Sequence, residues 1–240
     1  MFKNKVVVIT GASSKIGQSI ASKFAKEHAS LVLVGRDEEK LAKVKKLCDE
    51  EGACAFIVKA DLIYDDQAER VIKETIEKYK KLDVLVNNAS ILRFGNITDA
   101  TILETFDDVM NMNIRAVMVL TSYATEHLIA SKGNIVNVSS IAGTRVVSVQ
   151  LSAYCMSHAA LIHFTKLAAS ELGKEGVRVN SVSTQAVLDE HEIETLLNTL
   201  LYKDPSSEEI ADMVIYLASD DAKSVTGSNY TCDSGALAYN

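Results

Sequence analysis

Short β-branched runs recur along this chain, and each is followed by a stretch of helical period. "KVVVIT" (Lys5–Thr10) precedes "KIGQSIASKFAKEH", and "SLVLVG" (Ser30–Gly35) precedes "DEEKLAKVKKLCDEEG". "CAFIVKAD", "LDVLVNNA", "GNIVNVSS" and "GVRVNSVS" follow at intervals that leave room for helices, and "GSNYTCD" is a last strand. One long helical region is expected over about Ile102–Ala130, a further helix through Tyr154 to about Lys174, and two shorter ones after the sixth strand. The strands read as continuous apolar runs instead of alternating apolar and polar residues. Such strands are buried on both faces, which implies a parallel sheet covered by helices on both sides. The fold class is therefore α/β, doubly wound. In these sheets ligands bind beyond the carboxyl ends of the strands, so the polar residues there are the ones to follow.

Bulk properties narrow the function. With 240 residues and 48% hydrophobic content, the chain can bury a sizeable core. The formal net charge is −7 and there is no basic cluster, which argues against a nucleic-acid partner. The apolar run Val6–Ile9 is too short for a signal peptide or a membrane span, and longer apolar stretches are broken by polar residues. A soluble cytoplasmic protein is expected, with no membrane partner. Cys48, Cys54, Cys155 and Cys232 form no Cys-x-x-Cys pair and no cluster of metal spacing, so four reduced thiols and no metal are expected. The one proline, Pro205, and the absence of a low-complexity linker leave residues 1–240 as a single domain.

Two local patterns carry chemistry. The first strand ends in "TGASSKIG" (Thr10–Gly17), a glycine-bearing strand-to-helix turn. Such a turn lets a pyrophosphate approach backbone N–H groups at a helix N-terminus. The second pattern is "SAYCMSHAALIHF", which sets Tyr154 four residues before His158, one turn apart on one helix face. Such a pair is by itself an ordinary helix feature. His28, His127, His163 and His191 have no constellation around them, and Ser139, beside Ser140, reads as strand structure.

These motifs, in this order, resemble the short-chain dehydrogenase/reductase family over almost the whole chain. "TGASSKIG" is similar to its Thr-Gly-x-x-x-Gly-x-Gly turn, Asp61-Leu62 to its adenine-contacting pair, and "NNAS" (Asn87–Ser90) to its Asn-Asn-Ala-Gly. Asn113 matches its helix asparagine, and "NVSSIAG" puts Ser140 at its serine. The resemblance implies a Rossmann-like fold with Gly11, Ser13, Ser14, Lys15, Ile16, Gly17, Arg36, Asp61, Leu62, Asn88, Ala89, Tyr154 and His158 at the cofactor. It implies Asn113, Ser140, Tyr154 and His158 at the reaction centre. In the family the tyrosine is general acid in reduction and base in oxidation, the serine holds the substrate oxygen, and a lysine four residues on binds the nicotinamide ribose and lowers the tyrosine pKa. An asparagine links that lysine to a water relay. Arg36, at the end of "VGRD", stands where a cation accepts the 2′-phosphate, and Lys15 adds a second, so NADP(H) is expected over NAD(H).

Several positions depart from the family pattern. Lys15 replaces the middle glycine, as in pterin-reducing members. His158 replaces the lysine, and a neutral imidazole does not favour tyrosinate as a fixed ammonium does. Thr184 and Gln185 stand at a Pro-Gly, and Asp189 stands at a threonine that contacts the carboxamide. The substrate-lid segment near 186–206 is short. The expected activity is hydride transfer between NADP(H) and an alcohol or carbonyl substrate, low or altered. The alternatives are a non-catalytic relative that binds a nucleotide or small ligand, or a structural partner subunit. Family members commonly assemble through the long fourth and fifth helices, so a homodimer or homotetramer is expected.

Overall fold

The computed structural model describes residues 1–98, 100–185, 199–201 and 203–239. Seven strands form one parallel sheet: β1 (Val6–Thr10), β2 (Ser30–Gly35), β3 (Cys54–Lys59), β4 (Val84–Asn87), β5 (Asn134–Ser140), β6 (Arg178–Thr184) and β7 (Asn229–Cys232). Their order across the sheet is β3-β2-β1-β4-β5-β6-β7, and every pairing is parallel. The chain runs outward from β1 to β3, then crosses back to β4 on the other side of β1. That reversal opens a crevice at the carboxyl ends of β1 and β4.

The helices are α1 (Lys15–Lys26), α2 (Glu38–Glu50), α3 (Asp65–Tyr79), α4 (Thr101–Met110), α5 (Ala116–Ser131), α6 (Ser152–Leu172) and α7 (Ser207–Ala218). The sheet divides the core into two layers, and the strand period of two decides which residue joins which. Val7 and Ile9 of β1 pack with Ile20 and Phe24 of α1, Leu41 of α2 and Val214 of α7. Val6 and Val8 pack on the other face, with Val71 of α3, Leu120 and Leu128 of α5 and Leu172 of α6.

The helical region expected over Ile102–Ala130 is interrupted. Residues Asn111–Arg115 form a π-turn between α4 and α5, and Asn113 lies within it. The asparagine explains the insertion: its amide bonds the backbone of Ile91 in both directions, a side-chain clamp outside the helix. Of the two shorter helices expected after β6, α7 is present; the other, and most of the 186–206 lid, fall outside the described residues. No helix among the described residues is long and apolar enough to cross a membrane.

Candidate active site

A cleft of about 760 Å3 lies at the carboxyl ends of the strands. One end is built from backbone. Gly11 adopts φ +61°, where a side chain is strained, and a Cβ there would stand 2.9 Å from Asn88 Nδ2. A Cβ on Gly17 would meet Gly11 O at 2.2 Å, so α1 can start against the turn only with glycine at this position. Ser14 caps α1 by accepting from Gly17 N at 3.1 Å. The first N–H groups of a helix have no partner within it, and Lys15 and Ile16, which begin α1, line the cleft with Ser13 and Ser14.

Asn88 serves this turn. Its Nδ2 donates to Thr10 O at 2.9 Å and Gly11 O at 3.1 Å, while Thr10 Oγ1 accepts from the N–H groups of Asn88 and Ala89 at 2.9 and 3.0 Å. Arg36 also lines this end. Lys40 and Lys59 approach Asp37 and Glu38, whereas Arg36 and Lys15 are exposed and have no ion pair among the described residues. Leu62 lines the cleft; Asp61 does not, its backbone N–H donating to Gln67 and its carboxylate accepting from Ile63 N. Lys40, in the first turn of α2, is a lining cation that motif matching passes over.

The other end is built from buried side chains. Tyr154 and His158 pack edge to face, with ring centroids 4.3 Å apart and an interplanar angle of 60°. The Ser140 hydroxyl bonds the phenol and pulls its pKa down, but burial dominates and pushes it up to about 12. Burial lowers the His158 pKa to about 4, so the imidazole is neutral near pH 7. Its Nδ1 lies 3.1 Å from Ser139 Oγ, and its Nε2 has no hydrogen-bond partner among the described residues. Thr184 and Gln185 line the cleft here, and Thr184 Oγ1 is a second buried polar atom with no partner among those residues. Asp189 lies outside the described residues.

The structure therefore brings Ser140, Tyr154 and His158 together. Asn113 stands behind them: its Nδ2 donates to Ser157 Oγ at 3.0 Å, and Ser157 Oγ donates to Tyr154 O at 2.8 Å. Its amide joins the loop after β4 to the helix carrying Tyr154 and makes no hydrogen bond to His158. Gly143, just past β5, lets α6 approach closely, since a Cβ there would stand 2.6 Å from the His158 carbonyl carbon.

Residues 5–195 match the family model described as short chain dehydrogenase. The chain belongs to the short-chain dehydrogenase family. It is 36% identical to an uncharacterized oxidoreductase of Thermotoga maritima, with 99% of each chain covered. It is 33% identical to the meso-2,3-butanediol dehydrogenase of Serratia marcescens, covering 99% of this chain and 96% of the relative. Among solved structures, a short-chain dehydrogenase from Burkholderia cenocepacia in complex with NADP superposes with a TM-score of 0.91 at 29% identity, covering 98% of this chain and 99% of that one. The cleft of this family member also fits a nicotinamide dinucleotide on its own terms. A glycine turn that excludes side chains, open N–H groups and two cations unpaired among the described residues suit phosphates at one end, and two buried polar atoms without a partner among those residues belong to the lining of the other.

Proposed function

We propose that the chain is an NADP(H)-dependent oxidoreductase for an alcohol or carbonyl compound, with its chemistry biased toward reduction. The observation that carries this reading is the pairing of Tyr154 and His158 in the wall at one end of a cleft whose other end is the glycine turn, with the Ser140 hydroxyl bonded to the phenol. Gly11, Ser13, Ser14, Lys15, Ile16, Gly17 and Ala89 would hold the pyrophosphate, with Asn88 bracing the turn. Leu62 would stand at the adenine side. Arg36 and Lys15 would meet the 2′-phosphate, and Tyr154 and His158 the nicotinamide half. When bound, the dinucleotide supplies or accepts the hydride.

The bias follows from protonation. A phenol held at about 12 is protonated at neutral pH, the state needed to give a proton to a substrate oxygen held by Ser140. It is a poor base for the reverse reaction, because neutral His158 supplies no cation to favour tyrosinate. Exposed Leu103, Phe106, Met118 and Tyr123 on α4 and α5 support a homo-oligomer, which light scattering would test.

The test is to follow NADPH consumption against a panel of carbonyl compounds, and NADP reduction against the matching alcohols, for wild type and His158→Lys. Wild type should reduce carbonyls slowly and oxidise alcohols more slowly still, the oxidation rate climbing about tenfold per pH unit above neutrality as tyrosinate accumulates. His158→Lys should raise oxidation most, by up to about a hundredfold if it lowers the phenol pKa by two units. NADPH binding with no turnover in either protein would favour a second reading, a non-catalytic nucleotide binder. The neutral, buried His158 is the observation in that reading's favour.

A further inference from the structure

The buried contact between Ser139 and His158 has no part in the hydride chemistry above, yet both side chains line the deep end of the cleft. Ser139 is 3% exposed and His158 2% exposed. Ser139 Oγ and His158 Nδ1 are 3.1 Å apart, and the serine hydroxyl has no other hydrogen-bond partner among the described residues. A neutral imidazole carries one N–H and one acceptor nitrogen. If Nδ1 held the proton, the serine O–H would be left buried with nothing to donate to, a cost that buried polar groups seldom bear. If Ser139 donates to Nδ1, that hydroxyl proton is used and the imidazole proton is placed on Nε2. Nε2 is a buried atom without a partner among the described residues, and His158 lies in the wall of the cleft.

We propose that Ser139 is a positioning residue for His158: its hydroxyl donates to Nδ1, fixes the neutral Nε2–H tautomer, and thereby presents Nε2–H as a donor to a ribose hydroxyl in the nicotinamide half of the dinucleotide. A lysine ammonium donates whatever its rotation, but an imidazole donates from one nitrogen only. A histidine at this place therefore needs an acceptor-side partner to set its tautomer, and Ser139 supplies it. Strand β5 does so by alternation: Ser140 reaches the Tyr154 phenol, and its neighbour Ser139 reaches the imidazole. The ribose contact rests on the dinucleotide reading; the tautomer does not.

The experiment separates the two. In nucleotide-free protein with nitrogen-15-labelled histidine, a long-range proton–nitrogen spectrum at pH 7 should show His158 as the neutral Nε2–H species, and Ser139→Ala should bring in the Nδ1–H species. Finding Nδ1–H in wild type, or no change on substitution, would overturn the assignment. If Ser139→Ala does not fold, the wild-type spectrum alone decides the tautomer. In calorimetric titrations, Ser139→Ala should weaken NADPH about fivefold, the loss expected for one hydrogen bond, and leave 2′,5′-ADP, which lacks the nicotinamide riboside, unchanged. Ser139→Thr, which keeps the hydroxyl, should restore NADPH affinity. Equal weakening of both ligands would overturn the ribose contact. A wild type that binds neither ligand would overturn the dinucleotide reading and the ribose contact with it, while the spectrum still decides the role of Ser139.

Discussion

The two ends of the cleft are made of different material. At the glycine turn the cleft is lined by a backbone turn with open N–H donors, held by the Asn88 amide and the Thr10 hydroxyl, and the flanking side chains are exposed. At the far end the groups are side chains of Tyr154, His158 and Thr184, each nine-tenths buried or more. A backbone site tolerates a changed side chain such as Lys15, because the donors do not belong to it. A side-chain site changes its chemistry with one residue: burial holds an uncompensated phenol up at about 12 and an imidazole down at about 4.

The largest expected break in that contrast comes from the glycines. Gly17→Val drives a side chain into Gly11 O and should abolish NADPH and 2′,5′-ADP binding alike, a loss of at least about a hundredfold, or some 2.7 kcal/mol. Gly143→Ala presses on the α6 backbone at His158 instead, so it should suppress turnover while 2′,5′-ADP affinity stays intact. Calorimetry on both variants, with circular dichroism to confirm folding, decides whether the ends are separable. Next in size is Arg36→Ala. A charge-assisted contact to a phosphate is worth about 1.5–3 kcal/mol, so NADPH should weaken by roughly ten- to a hundredfold with NADH unaffected.

The smallest effect concerns acid stability. Burial depresses the His158 pKa from the usual 6.5 to about 4, so the unfolded chain takes up a proton in this window and the folded protein does not. The contribution is complete above about pH 6.5 and is lost as pH falls toward 4. The loss is on the order of 1 kcal/mol at pH 5.5. Urea unfolding of wild type and His158→Gln at pH 7.5 and 5.5 should show the extra acid loss only in wild type; equal slopes would mean His158 is not held neutral by the fold.

Much of the architecture was legible because strands buried on both faces leave uninterrupted runs such as Val6–Ile9, and the glycine turn announces itself by residues with no alternative at φ +61°. The π-turn at Asn113 was not legible, since helical period continues through it and its cause is a partner at Ile91, distant in sequence. Ser139 reads as strand structure in the sequence for a similar reason: the alternation that separates it from Ser140 is visible, but its partner lies on another element, 19 residues away. The depression of the His158 pKa to about 4 also depends on burial that spacing alone does not reveal.

The most direct measurement is a calorimetric titration of the purified protein with NADPH, repeated with NADH. The contrast between an intact phosphate end and an altered tyrosine end predicts micromolar binding of NADPH and weaker binding of NADH. No binding of either would contradict it, because the glycine turn, Arg36 and Lys15 would then be a fold without its ligand.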